Sequence, residues 1–272
     1  MDDRIRAAYL QRIGVTPAAF GTGRALDAAS LAVLHRAHLM TVPFENLSIH
    51  LSEPISLDEG DLLGKVVGRR RGGFCYELNG LFCWLLRALG FRVAMLSARV
   101  RREDGGFGPE FDHMLLRVDL DEPWLVDVGF GDSFVDPIVF RAGGADQVNG
   151  HRYLVSPLGE GWQLLRQDDK GETSLYIFRD VPHQLSEYEE MSKFHQTSPE
   201  SGFTKRWICS KATADGRITV ANGRLIVTSK RGREETLFDT GEEVRQCLGD
   251  HFGIELDSAV DLSKLSCNSF AG

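Results

Sequence analysis

Cys75 stands in the run Arg71-Gly72-Gly73-Phe74-Cys75-Tyr76-Glu77-Leu78-Asn79, where two glycines and an aromatic residue lead directly into helical periodicity. A thiol placed there sits at a helix start. Unpaired backbone N–H groups and the helix macrodipole put partial positive charge at such a point, which favours a thiolate. The chemistry this suits is nucleophilic attack on an acyl carbon. That requires a base beside the sulfur and a further group to fix the base's tautomer. Cys83, Cys209, Cys247 and Cys267 have no glycines ahead of them and read as packing thiols.

Among eight histidines, His113 is the candidate base. It lies in Phe111-Asp112-His113-Met114-Leu115-Leu116-Arg117-Val118, Asp127 lies in Trp124-Leu125-Val126-Asp127-Val128, and Asp119-Leu120-Asp121-Glu122-Pro123 between them reads as a turn. A hairpin folded about Leu120 gives Met114, Leu116, Val118, Trp124, Val126 and Val128 one shared apolar face. Its register sets His113 opposite Asp127, at a spacing where a carboxylate can accept the imidazole N–H. Taken singly, His113 reads as a surface strand residue and Asp127 as a strand-end polar group. Their opposition, downstream of a helix-start cysteine, makes Cys75, His113 and Asp127 a candidate catalytic triad. His35, His38 and His50 fall in helical sequence, and His151, His183, His195 and His251 lack a comparable carboxylate arrangement.

The elements that must position these residues follow from periodicity. Residues 1–90 read as a helical bundle, with helical spacing around Ile5 to Ile13, from Asp27 to Met40, from Leu62 to Val67, and from Cys75 to a stop at Gly90. Residues 91–185 switch to period two in Arg92–Val100, His113–Val118, Trp124–Val128, Arg152–Ser156, Trp162–Arg166 and Thr173–Phe178, which predicts an antiparallel β-barrel carrying the histidine and aspartate. Residues 186–272 mix a helix over Ser186–Phe194, strands at Ile208–Ser210 and Ile218–Thr228, and a helix over Thr240–Phe252, and read as an α/β lid. The fold class is therefore α+β in three parts without long linkers, and clefts between the parts are the natural ligand sites.

At 272 residues and 42% hydrophobic content the chain can bury a sizeable core. Its five cysteines, odd in number and without a CxxC pair, argue against a disulfide framework or a zinc site, so no metal is expected and a reducing cytoplasmic location is. No apolar run reaches the length of a membrane span, and the N-terminus does not read as a secretory signal. A formal net charge of −8 opposes nucleic-acid binding.

Several runs in order resemble the arylamine N-acetyltransferase family: Val42-Pro43-Phe44-Glu45-Asn46-Leu47, Arg71 to Asn79, Asp112-His113, Asp127-Val128-Gly129-Phe130-Gly131 and Thr197-Ser198-Pro199-Glu200-Ser201-Gly202-Phe203. The likeness runs from about Ile5 to about Phe203 and is vague beyond. It implies a helical bundle, a β-barrel and an α/β lid around a cysteine-protease-like core, with the triad carried by Cys75, His113 and Asp127. It also implies acetyl-CoA as cosubstrate and a ping-pong transfer through an acetyl-cysteine to an arylamine, arylhydroxylamine or hydrazine. Phe130 and Phe203 would wall the acceptor, since rings stack on a flat aryl group. Gly129 and Gly131 would allow close approach of backbone to the coenzyme. The Cys75 or Tyr76 amide would serve an oxyanion hole. Arg71 and Glu45 would form a structural ion pair bracing the cysteine loop. Two enzyme alternatives share the triad logic: an amide synthase of polyketide biosynthesis on the same scaffold, and a papain-like or transglutaminase-like hydrolase. A binding module with structural triad residues is a third.

Overall fold

The computed structural model describes residues 2–21, 26–143, 145–148, 151–168, 171–262 and 265, so Cys267 lies outside the described residues. The N-terminal part holds α1 (Asp3–Arg12), α2 (Ala28–Thr41), β1 (Phe44–Glu45), the short helices α3 (Leu47–His50) and α4 (Glu59–Leu63), a π-helical turn (Gly64–Gly68) and α5 (Cys75–Leu89). Asp2 and Asp27 cap α1 and α2 by accepting the Ile5 and Ser30 amides. Gly90, in the left-handed conformation at φ 100°, ends α5. Leu78, Leu81, Phe82, Leu85 and Leu86 of α5 are fully buried, which makes this helix the spine of the first core.

Eight antiparallel strands follow: β2 (Arg92–Val100), β3 (His113–Asp119), β4 (Pro123–Val126), β5 (Ile138–Val139), β6 (Ala145–Val148), β7 (His151–Leu158), β8 (Gly161–Asp168) and β9 (Gly171–His183). Their order, β5-β4-β3-β2-β9-β8-β7-β6, curls into a nearly closed barrel. Leu115 and Leu125 point into a core shared with Leu96, Ala98, Tyr153, Leu164 and Tyr176. Met114, Leu116, Val118 and Val126 point the other way and join the core of α5. The β3–β4 pair is thus buried on both faces and fixed against the helix that carries the thiol.

The last part comprises a 3-10 turn (Leu185–Tyr188), α6 (Glu189–Thr197), α7 (Gly202–Lys205), β10 (Ile208–Ala212), β11 (Gly216–Ala221), β12 (Arg224–Ser229), β13 (Gly232–Leu237) and α8 (Gly241–Phe252). The stretch Ile218–Thr228, expected as strand, is a hairpin. Asn222 and Gly223 both take positive φ, 51° and 73°, and turn the chain between β11 and β12. The sheet order is β1-β10-β11-β12-β13, with Phe44 opposite Ser210 and Glu45 opposite Cys209. The helical first part therefore donates an edge strand to the last sheet, a pairing that local periodicity does not reveal. Among the described residues no helix is long and apolar enough to cross a membrane.

Candidate active site

Cys75 is the first residue of α5 and is 3% exposed. The loop before it is tight because both glycines are pressed against neighbours. A Cβ on Gly72 would lie 1.9 Å from the Pro43 carbonyl oxygen, and one on Gly73 would lie 2.6 Å from Glu77 Oε2. Glu77, at the third helical position, accepts the Phe74 amide at 3.1 Å and so closes the helix start. Burial pushes the thiols of Cys83 and Cys247 up to about 11, and that of Cys209 well above its ordinary value. These three are packing residues.

The β3–β4 hairpin turns about Asp121 rather than Leu120. Asp119 faces Pro123, Val118 faces Trp124 and Leu116 faces Val126, while the Leu120 amide reaches the Glu122 carbonyl at 3.3 Å. Each partner is displaced by two residues from the expected register, so His113 does not stand directly across from Asp127. A shift of two preserves the face on which each side chain lies. The pair still meets, diagonally: His113 Nε2 is 2.8 Å from Asp127 Oδ2, with both groups buried.

Cys75 interacts electrostatically with the same imidazole, so Cys75, His113 and Asp127 are brought together in one buried site. Burial by itself would lower the His113 pKa. The Asp127 charge and hydrogen bond outweigh that, and together with Cys75 they raise it to about 10. Asp127 would be raised by burial too, yet His113, the Asn79 amide at 2.9 Å and the Gly129 N–H at 3.0 Å hold its carboxyl below the usual range. The site can therefore hold a cationic imidazolium against the Asp127 carboxylate, away from water.

Three side chains that the sequence reading passed over complete this arrangement. Asn79, one turn after Cys75, donates to the Met114 carbonyl at 2.6 Å as well as to Asp127, and accepts the Val128 amide at 2.9 Å. Its place four residues after Cys75, just before the apolar run Leu81 to Leu86, was a usable signal. Tyr176 on β9 donates to Asp127 Oδ2 at 3.3 Å. His35 on α2 accepts the Asp127 backbone N–H at Nε2, 3.2 Å, and donates from Nδ1 to the Val135 carbonyl, 2.7 Å. Burial lowers the His35 pKa, which keeps that tautomer neutral.

Phe130 stands edge-on to His113 with ring centres 5.2 Å apart, and packs on Tyr176 as well. Phe203 lies farther off, against Phe74, Phe44 and His195. The close approach at Gly129 is to the protein itself: a Cβ there would lie 2.7 Å from the Cys75 Cα. Gly131 takes φ 90° over the Phe44 ring. Arg71 pairs with Glu45 through Nε–Oε1 at 2.9 Å and Nη2–Oε2 at 3.2 Å, both side chains buried. Among the described residues no cluster of three or more His, Cys, Asp or Glu side chains is placed to hold a metal ion.

A family model described as N-acetyltransferase matches residues 27–260, and the chain is 34% identical to the arylamine N-acetyltransferase of Mycolicibacterium smegmatis over 91% of each chain. The chain belongs to the arylamine N-acetyltransferase family. It is an acetyltransferase by that membership, with the α+β architecture of its relatives. The solved arylamine N-acetyltransferase of Mycobacterium marinum in complex with CoA superposes with a TM-score of 0.82 at 31% identity, covering 91% of this chain and 92% of that one. The proansamycin X synthase of Amycolatopsis mediterranei is 30% identical, with 89% of this chain and 96% of that one covered.

Proposed function

We propose that this arylamine N-acetyltransferase works by a ping-pong reaction with acetyl-CoA through an acetyl group carried on Cys75. The observation that carries this reading is the buried grouping of Cys75, at the start of α5, with His113, whose Nε2 is 2.8 Å from Asp127 Oδ2 and whose ring interacts electrostatically with the thiol. In the first half-reaction the Cys75 thiolate attacks the thioester carbonyl. A tetrahedral intermediate collapses, the bond to the coenzyme sulfur breaks, and His113 gives its proton to the departing thiolate. In the second half-reaction an arylamine, arylhydroxylamine or hydrazine attacks the acetyl-cysteine. His113 takes the proton from its nitrogen, the carbon–sulfur bond breaks, and Cys75 leaves as thiolate. Asp127 fixes the imidazole and stabilises its charged form. The Cys75 and Tyr76 amides at the start of α5 are the donors for the oxyanion.

An arylamine is a weak base and is uncharged at neutral pH, so it enters an apolar site as a ready nucleophile. Phe130, set edge-on beside His113, gives it a ring to pack against at the point where its proton departs. Phe203, edge-on to the Phe74 ring that directly precedes Cys75, offers a second ring to the acceptor. The M. marinum relative was solved with CoA, which supports a CoA thioester as donor here. A relative of similar identity carries a synthase name, so the acceptor is read from the site and not from family membership alone.

The test is to incubate the protein with acetyl-CoA and no acceptor and to weigh the intact chain. One added acetyl group mapping to Cys75 is expected, with rapid discharge when an arylamine is added. A folded protein that stays unmodified at Cys75 overturns the proposal, and discharge no faster than in water alone points to a hydrolase.

A further inference from the structure

The ion pair between Arg71 and Glu45 is one half of a larger buried arrangement. Lys65, on the π-helical turn, places Nζ 2.7 Å from Glu77 Oε1, and the two side chains are 6% and 0% exposed. Glu77 is the acidic residue whose other oxygen accepts the Phe74 amide, directly before the nucleophile. The two pairs reach each other electrostatically, since Lys65 acts on Glu45 and Arg71 acts on Glu77. Backbone bonds tie the same segments together. The Arg71 amide donates to the Lys65 carbonyl at 3.1 Å, and the Glu45 amide to the Gly73 carbonyl at 2.9 Å. Two buried ion pairs thus lie beneath the Arg71–Phe74 loop, flanked by Glu53, 3.4 Å from Arg71 Nη1, and by Arg12, which donates to the Val66, Arg70 and Arg71 carbonyls.

An acidic residue in the first turn ordinarily stabilises a helix by facing the positive end of its dipole. Here that end also supports a thiolate, and an uncompensated carboxylate in the same turn opposes it. We propose that Lys65 is a positioning residue for Cys75: by neutralising Glu77 it leaves the start of α5 electropositive toward the sulfur, and the four buried charges act as one unit. Glu77 then closes the helix start without opposing the nucleophile. The other titratable groups around the thiol are His113 and Asp127 from the barrel, Tyr76 on the helix itself and Tyr188 from the 3-10 turn, none of which Lys65 contacts.

The inference rests on reading Cys75 as the nucleophile. Its test is alkylation of the full chain by iodoacetamide across pH, followed at Cys75 by fragment mass spectrometry. This needs no acetyl-CoA, so failure of the transfer reading would show as absent acetylation with the alkylation differences intact. Lys65→Met is expected to slow alkylation at pH 7 on the order of tenfold, one pKa unit, with the same limiting rate at high pH. Lys65→Arg should keep the wild-type profile. Glu77→Gln, which retains an oxygen for the Phe74 amide, should react at least as fast as wild type, and the double variant should fall within about threefold of Glu77→Gln. A folded Lys65→Met protein with an unchanged profile overturns the proposal. Glu77→Gln slowed as much as Lys65→Met does the same, because the pair would then matter only for packing. If Lys65→Met does not fold, the Glu77→Gln profile decides alone: a thiol that titrates higher than in wild type refutes the idea.

Discussion

Replacing Gly129 by alanine adds one methyl group at the tightest junction of the site. The new Cβ would stand 2.7 Å from the Cys75 Cα, 2.7 Å from Asn79 Nδ2 and 3.0 Å from the Cys75 carbonyl oxygen. Carbon atoms pack at about 3.5–4.0 Å, so the start of α5 and the β4 end must separate by roughly 0.8 Å. Overpacking of this kind costs about 1–3 kcal/mol, well inside the roughly 5–15 kcal/mol of a folded domain, so the protein should still fold. The chemistry has less tolerance. The displaced atoms are the Cys75 backbone and the amide that holds Asp127, and on the proposed mechanism a 1 Å misplacement there costs on the order of 100-fold. Steady-state transfer from acetyl-CoA to an arylamine should therefore show kcat/KM reduced about 100-fold, with a thermal midpoint only a few degrees lower. A variant within twofold of wild type would refute the reasoning. So would a loss that merely tracks the unfolded fraction measured in parallel.

Arg71→Ala leaves Glu45 buried without its partner and should cost about 3–5 kcal/mol in urea unfolding, whereas Glu45→Gln with Arg71→Met should cost clearly less. Asn79→Ala removes bonds to Met114, Asp127 and Val128; a loss of about 1–3 kcal/mol and slower acetylation of Cys75 are expected, read by unfolding and intact mass. His113 gives a pH signature. Its pKa rises from about 6.5 unfolded to about 10 folded, so its proton contributes stability fully below about pH 6.5, and that contribution disappears as pH climbs through about 10. Urea midpoints at pH 7 and pH 10 should differ more for wild type than for Asp127→Asn, in which the supporting carboxylate is gone.

The placement of Cys75 at a helix start was legible because its signals are local: glycines, a helix start and a three-four apolar spacing all lie within a few residues of it. The face shared by His113 and Asp127 was legible too, since parity along a strand survives an error in register. The register itself was not, because the apolar pattern repeats every two residues and fits a turn about Leu120 as well as the one about Asp121. Contacts that span the chain left no local trace. His35 meets Asp127 across 92 positions, Tyr176 across 49, and β1 pairs with a strand far beyond the barrel. The close packing of Gly129 was likewise hidden. A glycine announces backbone freedom or proximity, and its sequence does not say to what.

The clip made by Asn79 ties catalytic competence to the order in which the chain assembles. The helix bearing the thiol also bears the amide that secures the aspartate strand, so neither half of the site is finished before the two parts dock. A nascent or partly unfolded chain presents Cys75 as an ordinary thiol without its imidazole. On the proposed mechanism the reactive sulfur is made in the same step that buries it, and its return during refolding marks the docking of the helical part on the barrel more directly than the recovery of helix or strand content.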